Sequence, residues 1–195
     1  MSDQTDFLLR FLLFAGAHSL FASLRIKALF NRSGSGEPRL YRLTYNIASL
    51  AAFGWVVAAC RTTPVLYEIH GIGKWLLHGG QASAATALLI CVSQTGSGDF
   101  LGFDQLRRRS APKPTLVTTG CYAHVRHPLY LLSMLFLLLS PVMTVSWALL
   151  TFLALLYFIA GSLIEERRLL HQFGEEYRTY RARVPFLIPS FFRRS

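Results

Sequence analysis

Apolar residues in this chain gather in five long runs, near 8–30, 43–60, 75–95, 129–140 and 142–164, separated by polar stretches. Several runs approach the roughly 20 residues a helix needs to cross a bilayer, so they predict spanning helices. The last two are nearly continuous, since Leu129 to Ile164 is 36 residues without a charge. As one helix this stretch would extend about 54 Å, against a hydrocarbon core of about 30 Å. Ser140-Pro141 is the predicted break, because proline removes a helical donor and disfavours helix at the residue before it. The two limbs then measure roughly 18 and 34 Å. The short limb either stops partway across or draws the residues before it below the headgroups. The expected fold is an all-α integral membrane protein of about five transmembrane helices. It ends in a Pro-broken helical hairpin and an interfacial C-terminal segment.

The polar interruptions refine this picture. His18 and Ser19 fall at mid-depth in the first run, which ends in Arg25 and Lys27. Residues 31–38 read as a flexible loop by composition. Tyr41, Tyr45 and Trp55 suit interfacial positions in the second run. The third carries His78, Gly79, Gly80 and Gln81 near its start, so its first turns are expected to bend or to lie at the outer surface. Whether 72–95 makes a full span stays open. The chain is expected to form one domain, with N-terminal spans over 1–98 and a C-terminal core over 115–190.

Composition supports a membrane protein: 52% of residues are hydrophobic, 15% are charged and mean hydropathy is +0.37. A soluble domain carries about 25% charged residues. The formal charge of +10 would suit nucleic acid, but its placement argues otherwise. Seventeen of the 20 basic residues lie after the first run, after the third run or in the tail, which are alternate sides of the spans. The positive-inside rule then puts the N-terminus outside and the C-terminus in the cytoplasm, in the inner membrane. Cys60, Cys91 and Cys121 show no zinc or redox spacing and read as small core residues. The acidic stretch before Phe7 lacks the features of a removable signal peptide. His124, His127 and His171 have no thiolate nearby, so no metal is expected.

Candidate chemistry collects at the mouth of the uncharged run. Gly120 to Tyr130 brings two imidazoles, a guanidinium and two phenols there, and Glu165-Glu166 follows its other end. Polar groups set against a membrane segment cost stability and are usually functional. A hairpin returns its ends to one membrane face, so the two groups are expected to converge. Pro128 suits a first helical turn, whose unpaired N–H groups favour an anion. Arg126 adds a fork for a carboxylate or phosphate. Tyr122 and Tyr130 offer aromatic faces. Glu165 and Glu166 suit an ammonium or a ribose diol. An anion site, an ammonium site and an aromatic surface match the two parts of S-adenosylmethionine, although a nucleotide would ask for similar groups.

Three pieces of this sequence carry a family resemblance: Leu116-Val117-Thr118-Thr119-Gly120-Cys121-Tyr122, the Arg126-His127-Pro128-Leu129-Tyr130 box, and a C-terminal set. The set comprises Glu165-Glu166, Leu169, Phe173-Gly174, Tyr177, Tyr180, Val184-Pro185 and Pro189. Together they resemble the isoprenylcysteine carboxyl methyltransferase superfamily, which includes phospholipid N-methyltransferases, methanethiol S-methyltransferases and NnrU-like proteins. Ala17-His18-Ser19-Leu20-Phe21-Ala22-Ser23 followed by Lys27 is more similar to the methanethiol-methyltransferase and NnrU-like branch.

The resemblance implies a membrane-embedded, non-Rossmann methyltransferase that uses S-adenosylmethionine and releases S-adenosylhomocysteine. It places Leu116, Val117, Gly120, Tyr122, His127, Pro128 and Tyr130 against the cofactor, with Tyr177 and Tyr180 closing the pocket. Glu165 or Glu166 completes it, and Arg126 holds the cofactor or orients the substrate. The acceptor is expected to be small or lipid-soluble and to enter from the bilayer, a thiol or carboxylate before a phospholipid amine. His18 either bonds a neighbouring span or, with Ser19, lines the acceptor pocket. Residues 184–194 read as an interfacial anchor that also caps the cofactor.

Plainer readings exist. Arg126 alone would be a snorkelling anchor, and Glu165-Glu166 before Arg167-Arg168 an ordinary solvated helix end. The C-terminal pattern is shared with NADPH-dependent sterol reductases, but Tyr130 is followed by Leu131-Leu132-Ser133-Met134, without the acidic residue usual there. A non-catalytic membrane protein is the remaining alternative.

Overall fold

A computed structural model describes residues 3–23, 26, 27, 29, 40–60, 63–96, 98 and 115–189. The loop expected at 31–38, Arg107 to Lys113 and the arginines of the tail after Pro189 lie outside the described residues. The elements are α1 (Asp3–Ala22), α2 (Tyr41–Ala59), β1 (Val65–Glu68), α3 (Gly71–Gln94) and a 3₁₀ helix (Gly120–Ala123). They continue with α4 (Pro128–Leu138), β2 (Val142–Thr144), α5 (Val145–Phe173) and α6 (Glu175–Arg183). The fold is mostly helical, and α1, α3 and α5 are long and apolar enough to cross a membrane. The apolar α4 is shorter.

Contacts divide the chain into two compact units. The first takes its described residues from Met1–Tyr67, Gly96–Lys113 and Met143–Leu150. Here α1 packs along α2. Two apolar helices gain little from hydrophobicity within lipid, so specific polar contacts matter more there. His18 Nδ1 lies 3.0 Å from Ser49 Oγ and its Nε2 lies 2.9 Å from Tyr45 Oη. His18 therefore bonds side chains of the neighbouring helix α2. Arg10 ion-pairs with Asp6 at 2.7 Å, donates to the Trp55 carbonyl at 3.1 Å and stacks over the Trp55 ring. At the start of α5, the Thr144 hydroxyl accepts from Trp147 N–H at 3.1 Å and donates to the Cys60 carbonyl at 2.9 Å.

The second unit comprises Glu68–Thr95, Pro114–Val142 and Thr151–Ser195, and it carries the candidate chemistry. Helices α3 and α4 pack together. Gly80 lies against Leu139, and Gln81 Nε2 donates to the Phe136 carbonyl at 3.1 Å. Of the two arrangements expected for these turns, the bend is absent, and these contacts explain why. His78 to Gln81 sit inside a continuous helix that begins at Gly71, because a neighbouring helix receives the polar side chain and fills the space a Cβ would take. Pro128 opens α4 at its first turn, where a missing donor is harmless.

After Leu138 the chain leaves the helix, and Ser140 Oγ donates to the Val142 carbonyl at 2.7 Å. The break at Ser140-Pro141 is present, but it opens into a three-residue strand rather than a bare hairpin turn. β1 and β2 pair as a two-stranded sheet, a small correction to an all-helical expectation. Both strands are too short to leave an alternating pattern.

Helix α5 runs 29 residues, about 44 Å in length, so it outlasts the hydrocarbon core by several turns. Its uncharged part ends at Ile164, and Glu165 and Glu166 follow directly within the same helix. Gly174 has φ +56°, a conformation costly for a side chain, and its N–H bonds the Leu170 carbonyl at 3.0 Å, ending α5. The polar α6 follows at once. Glu175 and Glu176 occupy its first turn and Arg181 and Arg183 its last, matching the helix dipole.

The cysteine expectation requires correction. Cys60 is a free, buried thiol, but Cys91 and Cys121 form a disulfide between α3 and the 3₁₀ helix. The two are 30 residues apart, a spacing that carries no recognisable pairing signal.

Candidate functional site

The site is built in the second unit, where the box before α4 meets α5, α6 and the segment after it. Arg126 Nε donates to Glu166 Oε1 at 2.6 Å. Their side chains are only 10% and 7% exposed, so this is a buried ion pair. Arg126 Nη1 also donates to the carbonyls of Val184 at 2.7 Å and Arg181 at 3.0 Å. Its backbone N–H reaches the Pro185 carbonyl at 2.9 Å, and its guanidinium lies over the Phe186 ring. Arg126 thereby ties the box to α5 and to the C-terminal segment. Arg181 Nε approaches the other Glu166 oxygen at 3.5 Å from a more exposed position.

Glu165 differs from its neighbour. Successive helical residues point about 100° apart, and Glu165 stays 47% exposed while accepting from the Tyr130 hydroxyl at 3.2 Å. His127 is buried between them, with Nε2 3.4 Å from Glu166 Oε1. Its ring stacks on Tyr130 and meets the edge of Phe186, and Tyr130 stacks in turn on Phe158. On the other side, the Tyr180 hydroxyl donates to the Tyr122 carbonyl at 2.7 Å. Tyr177 is fully buried beside Tyr180, and its hydroxyl has no hydrogen-bond partner among the described residues.

Burial favours the neutral form of Tyr122, Tyr180 and His127. Burial, then the charge of Glu165, pushes Tyr122 up to about 12. Burial pushes Tyr180 up to about 12 against the opposing pull of Arg126. Burial lowers His127, which Arg126 reinforces and the two carboxylates oppose. The unfolded chain therefore protonates this imidazole at a higher pH than the folded chain does. The folded state is favoured above the ordinary value of 6.5 and loses that advantage as pH falls from there toward the lowered value. The thermal midpoint should consequently drop more between about pH 7 and 5.5 in the parent protein than in His127→Asn, as scanning across that window would read.

Gly120 opens the 3₁₀ helix with φ +60°, and a Cβ there would overlap the Gln94 amide. That amide accepts the Cys121 N–H at 2.8 Å. Gly120→Ala should cost about 1–3 kcal/mol through the strained backbone and the displaced bond, read as a lower thermal midpoint.

Of the residues singled out from sequence, Arg126, His127, Tyr130, Glu165 and Glu166 are joined by direct contacts. Tyr122, Tyr177 and Tyr180 lie beside them, and Pro128 starts the adjoining helix. Leu116 and Val117 are half-buried in the extended segment before the 3₁₀ helix. Sequence reasoning missed Phe158, Arg181 and the carbonyls of Arg181, Val184 and Pro185 as partners. Phe186 was expected within a segment that anchors at the interface and caps the cofactor, but not as the ring beneath the Arg126 guanidinium. No local pattern marks a backbone carbonyl as the acceptor for a distant arginine.

His18 belongs to the first unit, where it lines a mostly apolar cavity of about 490 Å3 between α1 and α2 with Phe14, Tyr45 and Ser49. Ser19 is exposed and is not among the lining residues.

A charged and aromatic cluster beside long apolar helices defines a membrane protein with a built polar site. The sequence profile described as NnrU protein matches residues 6–187. The chain belongs to the NnrU family. It is 36% identical to a methanethiol S-methyltransferase of Crocosphaera subtropica, over 91% of this chain and 71% of that enzyme. It is 31% identical to one from a Pseudomonas species, over 91% of this chain and 70% of the relative. A shorter stretch, 38% of this chain and 28% of the relative, is 40% identical to the protein-S-isoprenylcysteine O-methyltransferase of Homo sapiens. The match to another curated relative also covers only 28% of that protein's length. No solved structure matches the chain.

Proposed function

We propose that this chain is an integral-membrane methyltransferase that takes its methyl group from S-adenosylmethionine. The acceptor is a small or lipid-soluble molecule, with a thiol favoured because the relatives matched over most of this chain are named for methanethiol. The observation that carries the proposal is the buried Arg126–Glu166 pair, set beside an open Glu165 where the uncharged stretch of α5 ends.

The residues present fit such a donor. A buried hydroxyl without a partner is costly, and a polar ligand accepting from Tyr177 would remove that cost. Glu165, half-exposed and held by Tyr130, is the carboxylate placed to take the donor's ammonium. Arg126 and Glu166 spend their charges on each other, so they act as positioning residues that fix the box against the C-terminal segment. His127, neutral near pH 7, adds no cation beside a positively charged ligand. Tyr122 and Tyr180 stay uncharged for the same benefit, and the stacked rings of Tyr130 and Phe158 present a planar surface. When bound, S-adenosylmethionine supplies a methyl on sulfonium, open to in-line attack by a thiolate. The protein's task is then mainly to hold both partners in line and keep water away.

The distribution of arginine and lysine supports five spans with the N-terminus outside and the site on the cytoplasmic face, and the chain is assigned to the inner membrane on that reading. Purified protein given labelled S-adenosylmethionine should label a thiol in a panel of thiols, prenylcysteines and phospholipids. Binding of NADPH with no binding of S-adenosylhomocysteine would instead identify a reductase.

A further inference from the structure

We infer that Cys91 and Cys121 form a thiol–disulfide exchange site, opened by small thiols, that controls how firmly the box loop is held. The inference rests on the assignment of the donor site to the cluster around Arg126 and concerns regulation of that same site.

The bond joins the last turn of α3 to the 3₁₀ helix, with the two Cα atoms 5.6 Å apart. Beside it, Gln94 Oε1 accepts the Cys121 N–H, so one covalent and one polar tie meet at the same joint. The next residue, Tyr122, is already part of the cluster, because its carbonyl accepts the Tyr180 hydroxyl. Four residues further on, Arg126 begins its bonds to Glu166 and to the segment after α6. Loosening Cys121 therefore frees one end of a short loop whose other end holds the buried ion pair.

The two cysteines are not equally open. Cys91 is 1% exposed, whereas Cys121 is partly exposed. A thiolate attacks Cys121 Sγ, forming a mixed disulfide as the bond to Cys91 breaks. The Cys91 sulfur leaves with the electron pair and takes a proton. A second thiol attacks the mixed disulfide, which releases the small disulfide and a Cys121 thiol. Two thiols are oxidised and the protein bond is reduced by the same two electrons. A small disulfide drives the reverse sequence. On the proposed cytoplasmic face such a bond follows the local thiol-to-disulfide ratio instead of persisting as a fixed staple.

The test equilibrates full-length protein in detergent with glutathione and glutathione disulfide at set ratios. Maleimide labelling in denaturant should count one thiol in the oxidised protein and three in the reduced, given the three cysteines. Reduction should raise the dissociation constant for S-adenosylhomocysteine about tenfold, and hydrogen exchange over residues 119–127 should speed up. Cys91→Ser should resemble the reduced protein and ignore the glutathione ratio. Three free thiols at every ratio would overturn the inference, as would equal exchange and equal affinity in both states. Oxidised protein that binds no S-adenosylhomocysteine would sink the donor-site assignment instead, and hydrogen exchange alone would then judge the redox response.

Discussion

Replacing Arg126 by alanine should lower the thermal midpoint of the purified protein by roughly 10 °C or more. The change strands Glu166, 7% exposed, without its close partner, and removes the donors that hold the Val184 and Arg181 carbonyls. Breaking one side of a buried pair costs about 3–5 kcal/mol, because the surviving charge is left uncompensated. Arg181 recovers little of this, since it approaches Glu166 at 3.5 Å from a position 53% exposed. Arg126→Lys should fall between the two, keeping the charge but losing the fork that reaches a carboxylate and two carbonyls together. A midpoint within a degree of the parent for Arg126→Ala would mean the pair does not hold this region together.

The adjacent glutamates should fail in different ways. Glu166→Gln leaves Arg126 buried beside a neutral amide, so a stability loss approaching that of Arg126→Ala is expected. Glu165→Gln removes a half-exposed carboxylate whose described polar contacts are Tyr130 and a long approach to His127. Its midpoint should barely move, while affinity for the donor's product falls about ten- to a hundredfold, the worth of one charge-assisted hydrogen bond. Thermal scans and calorimetry on both variants separate the roles. Identical profiles would show that the two carboxylates are interchangeable.

Much of this arrangement was legible in one dimension. The uncharged run, the Ser140-Pro141 break and Pro128 at a helix start are all local signals, and the structure places them close to where they were expected. The acidic pair at the end of the run was equally plain. What separates Glu165 from Glu166 was not, because a difference of one residue matters only once α5 has a facing partner. The polar stretch from His78 to Gln81 resembled a bend for a related reason: Gln81 is satisfied by the Phe136 carbonyl, which no property of α3 reveals. The disulfide was hidden by its 30-residue spacing, which matches no zinc or redox motif. The partners of His18, Tyr45 and Ser49, lie on α2, 27 and 31 residues away, and no local pattern pairs them with it.

The most direct test titrates S-adenosylhomocysteine into oxidised parent protein and into Glu165→Gln, side by side in a calorimeter. Saturable binding by the parent is expected, weakened at least about tenfold in a variant that melts at the same temperature. A parent that takes up none of the ligand, or a variant that binds it equally well, would contradict the placement of a charged methyl donor against this carboxylate.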